Sequence, residues 1–543
     1  MALPVWVVLG SVLIAQWAVV ATIASIGKHN GYLFYGGGDE TWYYTTAWVL
    51  GNGHMPEGYI SYGYPFMLAP FARIAGANIL QGLPLIVIFN VLVLVPVALL
   101  CVYGIAKTIG GRGFAYLVSL LWAVFPLLTL GYFYHRYHDK LINIGFVNEL
   151  GLTSLGDFPS MVFLLVAVYF TLKALLLRSP FDALIAGAAT GFAIAVKPSN
   201  AIFLPVPFAA LILARYGRGF QLLAVGLIPA LATLALWKYR GVGQLPLFAN
   251  RESALAASRF PELPLAGIDI HRYISLNWTD FTNNMNQLKE YAWSRRLLGW
   301  FVVAGTVGLA RRSGVIAMLI AGWFAVIFFL KAASPGVTIL GGNFLRYFVP
   351  GYPALFVLIA STPLVLPVYG PRLASHGDAG AALPNRRSRK GILAIAAFLS
   401  FAPFLAIAIL PPLTTPEAIK FPNLDQYMPA NQFSVAATKH GQTVVLSWPR
   451  PSSAGARPFY DIFREESDTV SCELNPHAAA SCVWAPRGAD GGAAKPIGTT
   501  SATTFEDHPP AGSWVYHVVV KAAPTASKRF GDYLLVSRAA TVN

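Results

Sequence analysis

The sequence predicts an all-α polytopic membrane domain of about eleven transmembrane helices over residues 1–414, followed by an all-β sandwich over residues 415–543. Three observations predict it. Of the 543 residues, 56% are apolar and only 12% charged, against roughly 25% charged in soluble domains. The apolar residues gather in runs of about 17–25, the length that crosses a hydrocarbon core as a helix. Past Pro411 the composition turns polar and rich in Pro, Ser, Thr and Gly.

The clearest runs are Leu3–Ile26, Leu83–Ile105, Gly113–Tyr132, Phe158–Leu177, Phe220–Trp237, Leu297–Leu309, Val315–Leu330, Phe348–Pro367 and Ile392–Leu410. Between Ala183 and Ala214 a longer stretch is interrupted by Lys197-Pro198-Ser199-Asn200 and reads as two shorter helices meeting at a polar turn. The first run has no basic leader and no small-residue cleavage site, so it reads as a retained helix rather than a signal peptide.

Basic residues set the expected orientation, because short cytoplasmic loops keep an excess of Lys and Arg. The loops holding Lys107 and Arg112, Lys173 and Arg178, Arg215 and Arg218, Arg311 and Arg312, and the cluster Arg386, Arg387, Arg389 and Lys390 are assigned to the inside. Those segments contain two acids, Asp182 and Asp378, while eleven other acids before residue 415 fall outside. An odd number of spans then puts the N-terminus in the cytoplasm and the C-terminal domain beyond the cell (inner or plasma) membrane. The net charge of +15 mostly reflects this bias. A nucleic-acid partner is not expected, since no basic stripe with aromatics marks a soluble face.

In the C-terminal part, Thr443–Trp448, Phe459–Phe463, Trp514–Val520 and Tyr533–Ser537 read as strands separated by turn-rich segments at sandwich spacing. Val444-x-Leu446-Ser447-Trp448, then Phe459-Tyr-Asp-Ile-Phe-Arg464, then Thr503–Val518 resemble a fibronectin type III module, with Tyr516 in the position of its core tyrosine. Cys472 and Cys482 lie ten residues apart in one loop. An oxidising compartment would favour a disulfide between them. Cys101 falls in an apolar run and reads as a small core residue.

The chemistry is expected from the outward loops and helix ends. After the first helix comes Tyr35-Gly-Gly-Gly-Asp39-Glu40-Thr-Trp-Tyr43-Tyr-Thr-Thr-Ala47-Trp-Val-Leu50-Gly-Asn-Gly53, two adjacent carboxylates followed by an aromatic stretch with helical spacing. Further on stand Tyr62-Gly-Tyr64-Pro65, Gly187-x-x-x-Gly191 leading to Lys197-Pro-Ser, and Asn343-Phe-Leu-Arg346-Tyr-Phe-Val-Pro350. Taken together, these four segments resemble the GT-C glycosyltransferases, polytopic enzymes that include protein O-mannosyltransferases and lipid A aminoarabinose transferases. That family often carries Lys-Pro where this chain has Tyr64-Pro65.

The resemblance implies a sugar donor on a polyprenyl phosphate and transfer to a glycan, lipid or protein acceptor at the outer membrane face. A single displacement would invert the anomeric centre. Lys197 and Arg346 would hold the leaving phosphate, with Arg136 next in line, because cations stabilise its developing charge. Asp39 would be the general base. Glu40 would orient the acceptor, or share a divalent cation such as Mg or Mn with Asp39; no other cofactor is implied. Tyr43 and Tyr64 would line the substrate site.

The loop Tyr134-His135-Arg136-Tyr137-His138-Asp139-Lys140 is dense in titratable groups. It reads either as a membrane-interface cluster against lipid or as a phosphate or sugar contact through His135 and His138. Asp157 begins the fourth helix and reads as an N-cap or a site acid. Trp237, Tyr239, Tyr273, Trp278, Tyr291 and Trp293 could stack on sugar rings or form an interfacial belt. The alternative function is a transporter or flippase for a lipid-linked or small substrate. Against it, no internal repeat is evident and nearly all charges map to membrane surfaces.

Overall fold

The computed structural model describes residues 4–27, 33–35, 39–56, 58, 60–77, 79–133, 135–242, 276–291, 297–339, 342–367, 386–411, 418–421, 426–430, 432–452, 458–466, 483–484, 495–521 and 533–543. Among these residues each apolar run is mainly helical, and Phe348–Pro367 passes from an α-helix ending at Ala360 into the 3₁₀ turn Thr362–Val365. Among the described residues seven helical segments are long and apolar enough to cross a membrane: Val5–Ile26, Ile79–Tyr132, Asp157–Leu177, Gly217–Gly241, Gly314–Ala332, Asn343–Ala360 and Arg389–Ile409. The chain is a multi-pass membrane protein with a C-terminal β-domain. Ile79–Tyr132 holds two of the expected runs, divided at Gly111, where φ is +80° and a side chain would be strained. The interrupted stretch resolves into the helix Pro180–Val196, a 3₁₀ segment Pro198–Phe203 and the helix Pro205–Leu213.

Small residues let the helices meet closely. A Cβ at Gly187 would collide with the Leu223 carbonyl, one at Gly226 with the Leu184 carbonyl, and one at Gly191 would fall 2.8 Å from the Ala230 Cβ. The Gly187-x-x-x-Gly191 pattern therefore packs Pro180–Val196 against Gly217–Val242, as small residues spaced by four do in membranes. Bulky lipid-facing residues mark the opposite extreme: Phe398, Phe401, Leu405 and Ile409 on Arg386–Ile409 are exposed.

The helix ends sort into two sets. At one end lie the basic loops, where Lys173 pairs with Asp182 at 3.1 Å, Arg178 donates to the Ala214 carbonyl at 2.7 Å and Arg311 to the Val365 carbonyl at 2.5 Å. At the other end the chain forms helices that do not span, Asp39–Gly51 and Gly63–Ala75, and a buried loop over residues 150–156.

The C-terminal β-domain pairs β1 (Ala436–His440), β2 (Thr443–Ser447) and β5 (Thr504–Asp507) in one sheet, in the order β1-β2-β5. The facing sheet is built from β3 (Phe459–Glu466), β4 (Gly498–Thr500), β6 (Trp514–Lys521) and β7 (Tyr533–Val536) in the order β7-β6-β3-β4, and β8 (Ala540–Val542) also pairs with β6. Alternate residues of both sheets fill the core, with Val444, Leu446 and Trp448 against Tyr460, Ile462, Tyr516 and Val518. Tyr516 is fully buried and donates its hydroxyl to Asp507 at 2.7 Å. Cys472 and Cys482 lie outside the described residues.

Candidate active site

Four of the expected site residues come from four separate helix ends and meet. Asp157 is the first residue of Asp157–Leu177 and its side chain is 2% exposed. Lys197 follows the last turn of Pro180–Val196 in an extended conformation. Its ammonium sits on Asp157 Oδ1, and Arg346 Nε donates to Asp157 Oδ2 at 3.1 Å. The other edge of the Arg346 guanidinium donates to Asp39 Oδ2 at 2.6 Å. Asp39 opens the helix Asp39–Gly51, and its side chain is 56% exposed against 23% for Arg346. Acid and base alternate from the exposed Asp39 through Arg346 to the buried Asp157 and then Lys197. Two carboxylates at helix N-termini and a lysine at a helix C-terminus also suit the helix dipoles.

The placement of Asp157 differs from an N-cap. Gly156 occupies that position, without a side-chain cap, and the carboxylate is turned to the two cations instead. The loop before it is clamped, because Asn90 Nδ2 donates to the carbonyls of Gly151 at 3.0 Å and Thr153 at 3.3 Å. Gly151 has φ +73°, and a Cβ there would come 2.7 Å from the Phe158 ring.

Glu40 parts company with Asp39. It is 2% exposed, and its Oε1 accepts from the Ser154 amide at 2.8 Å and hydroxyl at 3.0 Å. Neighbouring residues on a helix project about 100° apart, so one carboxylate faces Arg346 while the other ties its helix to the loop that carries Asp157. This corrects the expectation that both face an acceptor. It also fails to fit a divalent cation shared by the pair: Asp39 is matched to Arg346 and Glu40 to Ser154. Among the described residues no group of three His, Cys, Asp or Glu is placed to hold a metal.

The Tyr62-Gly63-Tyr64 segment packs on the helix end that bears Lys197. A Cβ at Gly63 would lie 2.6 Å from the Ala195 carbonyl carbon, and Ser61 donates to the Val196 carbonyl at 2.8 Å. Tyr64 is buried, its ring meets Tyr43 edge-on at 5.2 Å, and its hydroxyl lacks a hydrogen-bond partner among the described residues. Burial, reinforced by Glu40, Tyr43 and Asp157, pushes the Tyr64 phenol well up. It therefore stays a neutral donor beside the carboxylates.

The His135–His138 segment makes local contacts. The two imidazoles lie 5.0 Å apart, His138 reaches the Phe133 carbonyl at 3.0 Å, and the Arg136 guanidinium covers the Tyr137 ring at 4.6 Å. Trp237 is fully buried against Tyr62 and donates to the Ile60 carbonyl, so it is core and not a sugar platform. Trp278 and Tyr239 are exposed. Tyr273, Trp293 and the Tyr291 side chain fall outside the described residues.

Sequence reasoning missed Tyr347 and Lys331. The Tyr347 ring has Lys197 Nζ at 5.0 Å, Arg346 Cζ at 5.6 Å and Lys331 Nζ at 5.8 Å from its centroid. The available signals were an aromatic directly after Arg346 and a lysine closing an apolar run. Glu149 was also unremarked. It is buried, its Oε2 lacks a partner among the described residues, and burial pushes its carboxyl up to about 8.

A carboxyl that is neutral in the folded chain and ionised in the unfolded one leaves the folded state holding the extra proton from the ordinary carboxylate range up to about pH 8. Stability therefore falls as pH rises through that window, by roughly 1.4 kcal/mol per pH unit. Glu149→Gln is expected to flatten this slope and to be more stable than the wild type near pH 8. Unfolding curves of both proteins across the window measure it, and parallel slopes would mean that Glu149 ionises normally.

No protein-family model and no curated protein sequence matches the chain. Solved structures are similar to it. One is the archaeal oligosaccharyltransferase AglB from Archaeoglobus fulgidus in complex with an inhibitory peptide and a dolichol-phosphate, at 13% identity over 74% of this chain and 56% of that chain, with a TM-score of 0.39. Another is the Archaeoglobus fulgidus oligosaccharyltransferase in the apo form, at 16% identity, 74% and 55% coverage and a TM-score of 0.41. The same archaeal enzyme in complex with Zn and sulfate is similar at 16% identity, 75% and 53% coverage and a TM-score of 0.39. This chain spans a little over half the length of these archaeal proteins.

Proposed function

We propose that the chain is a membrane glycosyltransferase that moves a sugar from a polyprenyl-phosphate donor to an acceptor hydroxyl at the outer face, with inversion. The observation that carries this reading is the convergence of Asp39, Asp157, Lys197 and Arg346 from four helix ends at one end of the helical domain. Three of them, Asp39, Lys197 and Arg346, lie in the motifs that resemble those of GT-C enzymes. The buried Asp157 holds Lys197 and Arg346 in place, and these cations face the donor phosphate. Asp39 takes the acceptor proton as the oxygen attacks the anomeric carbon. The donor phosphate competes for the Arg346 edge that Asp39 occupies, which frees the carboxylate for that role. Glu40 positions Asp39 through Ser154.

In this reading residues 1–414 form the transferase domain and 415–543 an outward β-domain, with Cys472 and Cys482 bridged. Lys197→Ala and Arg346→Ala are expected to weaken donor use by roughly ten- to a hundred-fold, the size of a lost charge-assisted contact. Donor titrations with purified polyprenyl-phosphate sugar measure this. Unchanged donor affinity in both variants would move the phosphate elsewhere, Arg136 being the next cation to test.

A further inference from the structure

We infer that Asn284 is a positioning residue for Arg346, acting through the turn that leads into the helix carrying that arginine. The inference rests on the glycosyltransferase reading and adds to its site a residue from a segment outside its motifs. Arg346 sits in the helix Asn343–Phe348, six residues long. Isolated helices that short are not stable, so the backbone that aims the guanidinium has to be held from outside. Its entry is built on the preceding turn: Gly342 N–H donates to the Ile339 carbonyl at 2.9 Å, and Phe344 N–H to the Thr338 carbonyl at 3.3 Å. Gly342 has φ +79°, and a Cβ there would collide with Ile144, so the connection has little slack.

The turn 333–339 is fastened in its own right to the helix Trp278–Tyr291. Just before that helix, Asn277 N–H donates to the Ala333 carbonyl at 2.9 Å. One turn on, Asp280 Oδ2 accepts from Gly336 N–H at 3.2 Å. Asn284 is buried, and its Nδ2 donates to the Ala332 carbonyl at 2.9 Å and the Val337 carbonyl at 2.7 Å. Its Oδ1 accepts from Ile339 N–H at 3.2 Å. Positions 277, 280 and 284 are three and four apart, so they share one helix face. Phe281, Met285 and Leu288 pack beside them on the core of the helical domain, with Phe281 against Phe329 at 5.2 Å. The helix therefore clasps the turn with a polar row flanked by an apolar one. Asn284 alone ties the start of the turn, at Ala332, to its end, at Ile339. A primary amide offers donors and an acceptor together, as two carbonyls and one N–H require. Without it those backbone groups lose this partner and gain by turning toward water. The turn then opens, Asn343–Phe348 loses its anchor, and the guanidinium loses its fixed approach to Asp157 and the donor phosphate.

A double-mutant cycle on the full-length protein tests this, with binding of polyprenyl phosphate as the readout and the unfolding midpoint as a control. Asn284→Ala should weaken binding roughly tenfold, within the range of the one charge-assisted contact it positions. In an Arg346→Ala background the same substitution should change binding by less than about twofold, because the positioned group is gone. Asp280→Ala opens a single, partly exposed contact of the same clasp and should give a smaller loss with the same dependence on Arg346. It carries the test if Asn284→Ala fails to fold. Equal losses with and without Arg346 would make the clasp a general stabiliser of the fold and overturn the assignment. So would wild-type binding by Asn284→Ala, or by Asp280→Ala where Asn284→Ala does not fold. Wild-type protein that fails to bind polyprenyl phosphate at all would instead overturn the glycosyltransferase reading, and this inference with it.

Discussion

Asp39→Asn is expected to nearly abolish transfer while leaving expression, membrane insertion and donor binding largely intact. The amide keeps the size of the carboxylate, and its oxygen can still accept from Arg346, which now donates to Asp39 Oδ2 at 2.6 Å. What it loses is the ability to take a proton at neutral pH. A positioned base contributes about 10²–10⁴-fold, and the single-turnover rate should fall by that factor. Glu40→Gln should act differently, because Glu40 Oε1 accepts two hydrogen bonds from Ser154 and is buried. It should lower the rate less, by loosening the helix that carries Asp39. An Asp39→Asn protein that works at the wild-type rate would remove the general-base step, and the acceptor would then have to arrive already ionised.

Asp157→Ala should be the most damaging change to the fold of the site. Asp157 is 2% exposed and is the shared partner of Lys197 and Arg346. Removing one member of a buried ion pair leaves an uncompensated charge and costs about 3–5 kcal/mol. Here two cations would face each other over a small hole, with Asp39 able to answer only Arg346. The expected result is a lowered unfolding midpoint together with loss of donor binding. Double replacement of Asp157 and Lys197 by Met should recover stability without recovering transfer, since an apolar pair removes the buried charge but not the need for it in catalysis. An Asp157→Ala protein with normal stability and normal transfer would show that the cluster holds neither the site nor the donor.

The membrane spans were legible because a bilayer imposes length and composition on each helix separately. The run Phe158–Leu177 and the helix Asp157–Leu177 differ by one residue. The sandwich strands were legible by alternation: Thr443–Trp448 reappears as Thr443–Ser447. The helix Gly63–Ala75 was not read as one, since Pro70 inside it argues locally against a helix that tertiary packing on Ala195 nevertheless sustains. Site membership was legible where it lay in a motif, as for Asp39, Lys197 and Arg346. It was ambiguous for Asp157, whose partners lie 40 and 189 residues away, a separation that no local pattern encodes. The divergence of Asp39 and Glu40 followed from the helical period and was available from the sequence alone, once the segment was read as a helix.

Single-turnover transfer in proteoliposomes, followed by determination of the anomeric configuration of the product, tests the proposed chemistry most directly. Purified protein is supplied with a polyprenyl-phosphate sugar and an acceptor hydroxyl compound. One polyprenyl phosphate should be released for each sugar transferred, and the new glycosidic bond should have the opposite configuration to the donor. Donor that crosses the bilayer intact, with its sugar–phosphate bond unbroken, would contradict transfer and identify a flippase instead.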